Sequence, residues 1–317
     1  MGSRPVAMPG GPAPRHPASA NWLPTHCSFN VAELRGTSSH STLARRNATM
    51  NAPVPHPVTE AVLADSAGIR NSSPINFSLP PTLSLPRVSF IVPTLNEAKN
   101  LPHLLPRIPA WAHEVIIIDG RSTDDTVTVA RNLRSDVKIV MEPRRGKGAA
   151  LQAGFRAATG DIIVMLDADG SMDPDEAILF VGGLMAGADM VKGSRFLQGA
   201  GTDDMSLIRM LGNWGLTTTV RLLYGCAFSD LCYGYMAFWT RHVETLKCDC
   251  DGFEIETLIN VRALKNRLKI VEVASFEAPR ISGLSNLRAL PDGWRVLKTI
   301  LRERLLGQVS PVGYGVP

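Results

Sequence analysis

Two carboxylates one residue apart, Asp167 and Asp169, end a short apolar run from Ile162 to Leu166. The run is too short for a buried helix and rich enough in Ile and Val for a buried strand. Gly170 lets the backbone turn, and Pro174 suits the first turn of a following helix. Two acids at the carboxyl end of a strand repel each other and lose hydration on burial. A divalent cation is the simplest relief. Hard oxygen ligands suit Mg²⁺ or Mn²⁺, ions that keep open positions for substrate phosphates. The other reading of the same residues is an Asp-rich turn capping the next helix, because Asp-x-Asp alone is a common pattern.

Which reading holds depends on the elements around the pair. Val88 to Val92 predicts a strand, and Pro93-Thr-Leu-Asn-Glu97 turns out of it toward a helix over Asn100 to Ile108. Glu114 to Ile118 predicts a second strand, stopping at Asp119. Ser122 or Thr123 can cap the next helix, with Asp124 and Asp125 in its first turn. Val137 to Met141 predicts a third strand. Arg144-Arg-Gly-Lys-Gly148 follows it, then a helix over Ala149 to Ala158. After the Asp pair come a helix over Asp175 to Met185 and a strand over Asp189 to Lys192. Strands alternating with helices predict an α/β fold, a mostly parallel Rossmann-like sheet with helices on both faces. In such a sheet the ligand crevice lies outside the carboxyl ends of the strands. Asn96 and Glu97, Asp119, and Asp167 with Asp169 are therefore expected to converge on one site, which favours the metal reading over the cap. No Gly-x-Gly-x-x-Gly follows the first strand, and Gly146-Lys147 lacks the rest of a P-loop.

The second half carries arginines and two amphipathic segments. Arg195 ends Gly-Ser-Arg. Ser206 to Tyr224 predicts a helix with Leu207, Met210, Leu211 and Trp214 on one side and Arg209, Asn213, Thr217 and Arg221 on another. It is either a lipid-facing helix whose arginines bind a phosphate or a core helix with a solvated stripe. Arg suits phosphate because its fork donates in pairs. Ser229-Asp230-Leu-Cys-Tyr-Gly234 reads as a turn. Gly252-Phe-Glu-Ile-Glu256 begins a helix through Leu264, with Glu254 as a capping residue. A strand over Lys269 to Phe276 precedes Arg280-Ile-Ser-Gly-Leu-Ser-Asn-Leu287. Trp294 to Leu306 is a second basic amphipathic helix, fit either to rest in a headgroup layer or to pack on the sheet.

Bulk composition sets limits. The chain has 317 residues, enough for one large or two small domains. Its net charge of +4 suits a phosphate-bearing ligand or an anionic membrane surface and is too weak to argue for nucleic acid. Cys27, Cys226, Cys232, Cys248 and Cys250 form no CxxC pair, and His242 alone cannot complete a zinc set with Cys248 and Cys250. Reduced structural thiols in a cytosolic protein are expected. No stretch reaches the length of a membrane span. Residues 1–85, rich in Pro, Ser, Ala and Asn, are expected to be a disordered extension, 86–306 the folded domain, and 307–317 a loose tail. The extension could mimic an organelle transit peptide or reflect an over-extended start, with Met50 as the alternative.

The ordered motifs carry a resemblance. Pro93-Thr-Leu-Asn-Glu97, Asp119 with Ser122-Thr-Asp124, Arg145-Gly-Lys-Gly-Ala-Ala-Leu151 with Gly154, Asp167-Ala-Asp169 and Gly193-Ser-Arg195 resemble, in that order, the family 2 glycosyltransferases of the GT-A fold. The similarity runs from about Arg87 to Arg304 and looks greatest to the dolichol- or polyprenyl-phosphate hexosyltransferases, of the dolichol-phosphate mannose synthase type. It implies a GT-A nucleotide-diphospho-sugar transferase fold and a metal-dependent enzyme. Pro93, Asn96, Glu97, Asp119, Lys147, Asp167, Glu256 and Arg280 would bind the nucleotide sugar. Lys147 would reach its diphosphate, and Glu256 could contact sugar hydroxyls. Asp167 and Asp169 would hold Mg²⁺ or Mn²⁺. Asp169, Arg195, Arg209 and Asp230 would be the catalytic set. Arg195, Arg209 and Asn213 would bind an acceptor phosphate, with Asp230 orienting either the sugar hydroxyls or those arginines. The segment from Arg280 would be a lid over the diphosphate.

This chain departs from the family pattern at four positions: Ser171 for Gln, Gly120-Arg121 for a second acid, Asn213 for Ser, and Asn286 for Lys. The last loss puts more weight on Arg280 and Arg288. The implied reaction is inverting transfer of a hexose, from GDP-mannose or UDP-glucose, to a polyprenyl or dolichyl phosphate. The protein would be cytoplasmic and peripheral at the cytoplasmic membrane face, with no transmembrane span. The alternatives are a soluble GT-A enzyme acting on a small sugar or phosphorylated acceptor, and a non-catalytic nucleotide-sugar-binding protein.

Overall fold

A computed structural model describes residues 85–307. The expected extension over 1–85 and the tail from 307 fall, apart from Leu85 and Gly307, outside the described residues.

The first strand, β1 (Val88–Thr94), is central and leads to a short helix, α1 (Leu101–Leu104). Then come β2 (Glu114–Asp119), α2 (Thr126–Leu133), β3 (Lys138–Met141), α3 (Lys147–Ala157) and β4 (Ile162–Met165). The second half holds α4 (Ala177–Met185), β5 (Met190–Ser194), β6 (Gly201–Thr202), α5 (Leu207–Tyr224), β7 (Met236–Trp239), α6 (Val243–Leu246), α7 (Ile255–Lys265), β8 (Ile270–Ala274), β9 (Phe276–Glu277) and α8 (Ala289–Leu305). Seven strands form one sheet in the order β3-β2-β1-β4-β7-β5-β8, and β6 pairs with β9 in a small parallel ribbon. The large sheet is parallel except for β7, which runs against both its neighbours.

Alternation along β1 sets the two layers, because successive side chains leave a strand on opposite faces. Phe90 and Val92 pack with Leu101, Leu104, Ala130 and Phe180 on one face. Ile91 packs with Ile116, Leu151, Phe155 and Ile255 on the other. Strands covered on both faces need near-continuous apolar runs, as in Ile162–Met165, buried along its whole length. A third cluster, Val220, Tyr224, Val261, Leu264, Val296 and Ile300, joins α5, α7 and α8.

Three local expectations change. The helix expected over Asn100 to Ile108 is one α-turn followed by a 3₁₀ turn, Leu105–Arg107. Pro102 and Pro106 lack the N–H groups that a continuous helix would need. Ser122 and Thr123 do not cap α2, which begins at Thr126. They tie the loop after β2 to Asn96: its N–H donates to Ser122 Oγ at 2.8 Å, and its Oδ1 accepts the Thr123 N–H at 2.8 Å. The strand β7 was not expected. Its four residues, Met-Ala-Phe-Trp, fit no alternation, and only their pairing between β4 and β5 makes them a strand.

The helix α5 packs by the stripe that carries Asn213 and Thr217. Its packed side is Asn213, Thr217, Val220 and Tyr224. Leu207 is 77% exposed and Trp214 68% exposed, so the apolar side read from the sequence faces outward. In α8, Val296, Thr299, Ile300 and Glu303 face inward while Trp294, Leu301 and Leu305 are exposed. That inward side packs on α5 and α7, with Ile270 of β8 against the same cluster.

Candidate active site

The ends of β1, β2 and β4 are neighbours, because β1 pairs in parallel register with both other strands. Thr94 lies beside Asp119, and Met165 ends β4 just before Asp167. With strands about 4.8 Å apart, the acids that follow them share one edge. The sequence expectation of a single acidic corner is met in space.

Each acid there already has a partner. Asp119 is buried, and its Oδ2 accepts the N–H groups of Arg121 at 3.0 Å and Ser122 at 2.9 Å. Asp169 Oδ1 accepts from the Ser171 N–H at 3.0 Å and the Ser171 hydroxyl at 2.7 Å. Ser171, which stands where the family pattern has Gln, orients Asp169 through its hydroxyl. Asp169 Oδ2 meets Arg280 at 3.0 Å, and the same guanidinium meets Glu97 Oε1 at 3.1 Å. Burial raises the pKa of Glu97 above its ordinary value, against the opposing pull of Asn100 and Arg280. The segment after Arg280 is fastened at this corner too: the Ile281 N–H donates to the Asp169 carbonyl at 3.2 Å, and Asn100 donates to the Ser282 carbonyl at 3.1 Å.

Lys147 opens α3 and bridges Asp167 Oδ1 at 2.6 Å to Glu256 Oε1 at 2.5 Å. Its flanking glycines explain the placement. A Cβ on Gly146 would stand 2.0 Å from the Asp251 carbonyl oxygen, and one on Gly148 2.3 Å from that of Cys250. The Gly-Lys-Gly turn thus backs onto the segment before α7, which brings Lys147 within reach of Glu256. Burial alone would lower the Lys147 pKa; Asp167 and Glu256 override it and hold it above the ordinary value. Burial raises the pKa of Glu256, with Lys147 opposing.

Asp167 and Asp169 offer hard carboxylate oxygens, and both stay partly accessible. That donor set fits Mg²⁺ or Mn²⁺ with the remaining positions left to phosphate oxygens and water. Among the described residues no three His, Cys, Asp or Glu side chains close into a metal-binding group. His242 contacts Asp189 at 3.1 Å instead of joining Cys248 and Cys250, whose thiols burial pushes up to about 12.

The helical end of the site is built on Arg195, which follows β5. Arg195 is only 5% exposed. Its Nε and Nη2 donate to Asp230 at 2.7 and 3.0 Å, its Nη1 to Glu277 at 3.0 Å, and its guanidinium lies 4.7 Å over the Tyr233 ring. Burial would lower its pKa; the two carboxylates hold it above the ordinary value. Asp230 is fully buried and accepts a further bond from Asn213 at 3.0 Å. Its carboxylate has no open face, and its oxygens are taken up by Arg195 and Asn213. Arg209 is more accessible and pairs with Asp204 at 3.1 Å. A cavity of about 100 Å³ between α5, α7 and α8 is lined by Arg195, Arg209, Asn213 and Glu256, with Ile208, Leu216 and Val296. Glu256 thus connects this cavity to the acidic corner through Lys147.

Sequence reasoning missed Glu277 and Lys192. Glu277 lies in the two-residue strand β9 and also accepts the Thr202 hydroxyl at 2.6 Å. Lys192 is fully buried, donates to the Asp230 and Gly193 carbonyls, and lies 3.5 Å from Glu272. Neither sits in a motif; for Lys192 an ionisable residue in an apolar strand was the one available signal, and Glu277 lay just past the predicted strand.

A model of the family described as "Glycosyl transferase family 2" matches residues 89–246. An uncharacterised glycosyltransferase of Mycobacterium tuberculosis is 34% identical over 228 residues, 66% of this chain and 97% of that protein. The polyprenol monophosphomannose synthase of Mycolicibacterium smegmatis is 30% identical over 214 residues, 63% of this chain and 81% of that protein. Among solved structures, glucosyl-3-phosphoglycerate synthase from Mycobacterium tuberculosis, in complex with Mn²⁺, uridine diphosphate and phosphoglyceric acid, aligns with a TM-score of 0.57 at 24% identity, covering 73% of this chain and 82% of that one. That last likeness concerns the fold. A parallel sheet whose acidic strand ends meet at one corner, a match to the family's model and a relative covered almost end to end lead to one conclusion: the chain belongs to glycosyltransferase family 2, with the GT-A fold.

Proposed function

We propose that the protein transfers a hexose, with inversion, from a nucleotide-diphosphate sugar to a polyprenyl phosphate at a membrane surface. One observation carries this reading: a cavity holding Arg209 opens between two helices, α5 and α8, that turn Leu207, Leu211, Trp214, Leu290 and Trp294 outward. An accessible arginine beside an apolar rim suits an anionic head on a hydrocarbon tail. The similarity to a polyprenol monophosphomannose synthase supports the same acceptor. No helix among the described residues is long and apolar enough to cross a membrane, so the proposed association is peripheral.

In this reading Glu97 and Asp119 hold the nucleoside, next to Pro93 and Asn96. Asp167 and Asp169 would hold Mg²⁺ or Mn²⁺, which offsets charge growing on the departing nucleoside diphosphate; the Mn²⁺ bound in the structural neighbour supports that choice. Arg280 releases Asp169 and Glu97 and turns to the diphosphate, and Lys147 joins it from the other side. Glu256, beside Lys147, faces both halves and positions the sugar. Arg209 receives the acceptor phosphate, while Asp230, Asn213 and Glu277 fix Arg195 behind it. A phosphate monoester has a second pKa of about 6, so near pH 7 it attacks without a general base. The protein's contribution is then positioning and electrostatics.

The experiment is a panel of radiolabelled nucleotide sugars incubated with and without polyprenyl phosphate. Lipid-linked label only with the polyprenyl phosphate supports the proposal. Equal or faster transfer to a water-soluble phosphorylated acceptor favours a second reading, one supported by the phosphoglyceric acid in the neighbouring fold. No transfer from any donor overturns both.

A further inference from the structure

The segment from Phe228 to Cys232 lies between α5 and β7, belongs to no helix or strand, and is buried at Phe228, Asp230 and Leu231. Buried backbone outside a helix or sheet must find its hydrogen-bond partners elsewhere. Here side chains supply them. Arg221 donates to the Phe228 carbonyl, Lys192 to the Asp230 carbonyl and Asn260 to the Leu231 carbonyl. Glu272 accepts the Ser229 N–H at 2.8 Å and the Asp230 N–H at 3.4 Å. The Leu231 N–H donates to Thr217 at 3.2 Å and the Cys232 N–H to Asn213 at 3.0 Å. Helix α5 thus reaches the sheet through this segment. On the sheet side the segment is held by Lys192 of β5 and Glu272 of β8, which stand side by side in parallel register. Lys192 is fully buried, with its ammonium 5.6 Å from the centre of the Phe228 ring. An apolar pair would stabilise these neighbouring strands as well or better, because desolvation of two buried charges offsets most of their attraction. An apolar pair cannot bind the carbonyl and N–H groups of an irregular segment.

We infer that Lys192 is a positioning residue for the acceptor phosphate, acting with Glu272 through the segment from Phe228 to Cys232. The inference rests on the glycosyl-transfer reading above, with a phosphate monoester as acceptor, and deepens it. Asp230 is the link. Lys192 holds its carbonyl and Glu272 its N–H. Its carboxylate holds Arg195 at 2.7 and 3.0 Å and Asn213 at 3.0 Å. Asn213 is therefore fixed at both ends of its amide, by the Asp230 carboxylate and by the Cys232 N–H. Arg209 lies one turn earlier on the same helix. The seat of α5 on the segment therefore sets where Arg209 stands in the cavity that it shares with Arg195. A misplacement of about 1 Å in a positioning group is enough to cost about 100-fold in rate.

Steady-state kinetics of the full chain test this with whichever phosphate monoester the wild type glycosylates, polyprenyl phosphate or a water-soluble one. Lys192→Met removes the donor to the Asp230 carbonyl and leaves Glu272 without its cation. Adding Glu272→Gln removes the stranded charge and keeps an acceptor for the Ser229 N–H. The single variant is expected to lower Tm, and the double variant to recover most of that loss. Acceptor KM is expected to rise about tenfold in both, because the lost bond comes from a charged donor, while donor KM stays within about twofold. A pair that only stabilises the fold predicts otherwise: recovery of Tm brings back the wild-type acceptor KM. An acceptor KM within about twofold of wild type in the double variant overturns the inference, as does a donor KM that rises in parallel. Wild-type transfer leaves the glycosyl-transfer reading standing in either case. Should neither variant fold, Thr217→Val decides: it keeps a similar shape and removes the hydroxyl that accepts the Leu231 N–H. It is expected to raise acceptor KM about threefold, and an unchanged value overturns the inference. Absence of wild-type transfer to either kind of acceptor overturns the inference and the reading together.

Discussion

Asp230→Asn separates the clamp that positions Arg195 from the chemistry it serves. Asp230 is fully buried, and each of its oxygens accepts two N–H groups: Oδ1 from Arg195 Nη2 and Asn213, Oδ2 from Arg195 Nε and the Arg195 backbone. An asparagine amide must turn its NH₂ toward two donors whichever way it flips. Breaking a buried pair by removing one charge costs about 3–5 kcal/mol. Glu277 still holds Arg195 Nη1 at 3.0 Å, so the lower end, about 3 kcal/mol, is the expected loss. For a domain of this size that lowers Tm by about 6–12 °C. The pH dependence fixes the cause. Despite burial, Arg195 holds the Asp230 pKa below its ordinary value. A depressed carboxylate contributes stability above its unfolded pKa and loses it as pH falls through the folded one. The Tm gap between wild type and variant should therefore be constant above about pH 5 and narrow on acidification. In turnover, the variant should raise KM for the phosphate acceptor and leave donor binding unchanged. A Tm change under about 2 °C, or a gap that widens in acid, would refute the clamp.

Other expectations follow from the acidic corner and the exposed helices. Asp169→Ala should lower transfer at least about 100-fold and shift the Mn²⁺ titration to higher concentration; near-wild-type turnover in purified protein would end the proposed metal role. Lys147→Met leaves Asp167 and Glu256 facing each other without their shared cation. Nucleoside diphosphate affinity should fall about tenfold or more, measured by titration. Arg280→Gln frees Asp169 and Glu97, so Mn²⁺ affinity should hold or rise while diphosphate affinity falls; losing both equally would contradict the proposed swing. Leu211→Glu with Trp214→Glu changes exposed positions, so stability should move by less than about 1 kcal/mol, while co-sedimentation with anionic vesicles drops.

Much of the fold was legible because its signals are local. The strands β1, β2 and β4 are buried on both faces, so their apolar runs stand out, and a polar residue marks where each ends. Glycine and proline marked the turns. The register of parallel strands then required Glu97, Asp119 and Asp167 with Asp169 to share an edge. The strand β7 was not legible, since its identity lies in the neighbours it pairs with.

Sequence alone determined which side chains could meet a phosphate, a metal or a nucleoside, because motif order and strand ends are properties of the chain. Tertiary structure alone decided how those side chains are engaged. It turned the apolar side of α5 outward and packed Asn213 and Thr217 inward. It closed Arg195 between Asp230 and the unforeseen Glu277, and left one oxygen of Asp119 without a partner. Helical periodicity says that a helix has two sides, but which side is buried depends on what packs against it. Likewise, a carboxylate's partners come from residues tens of positions away, brought near only when the sheet and its covering helices close.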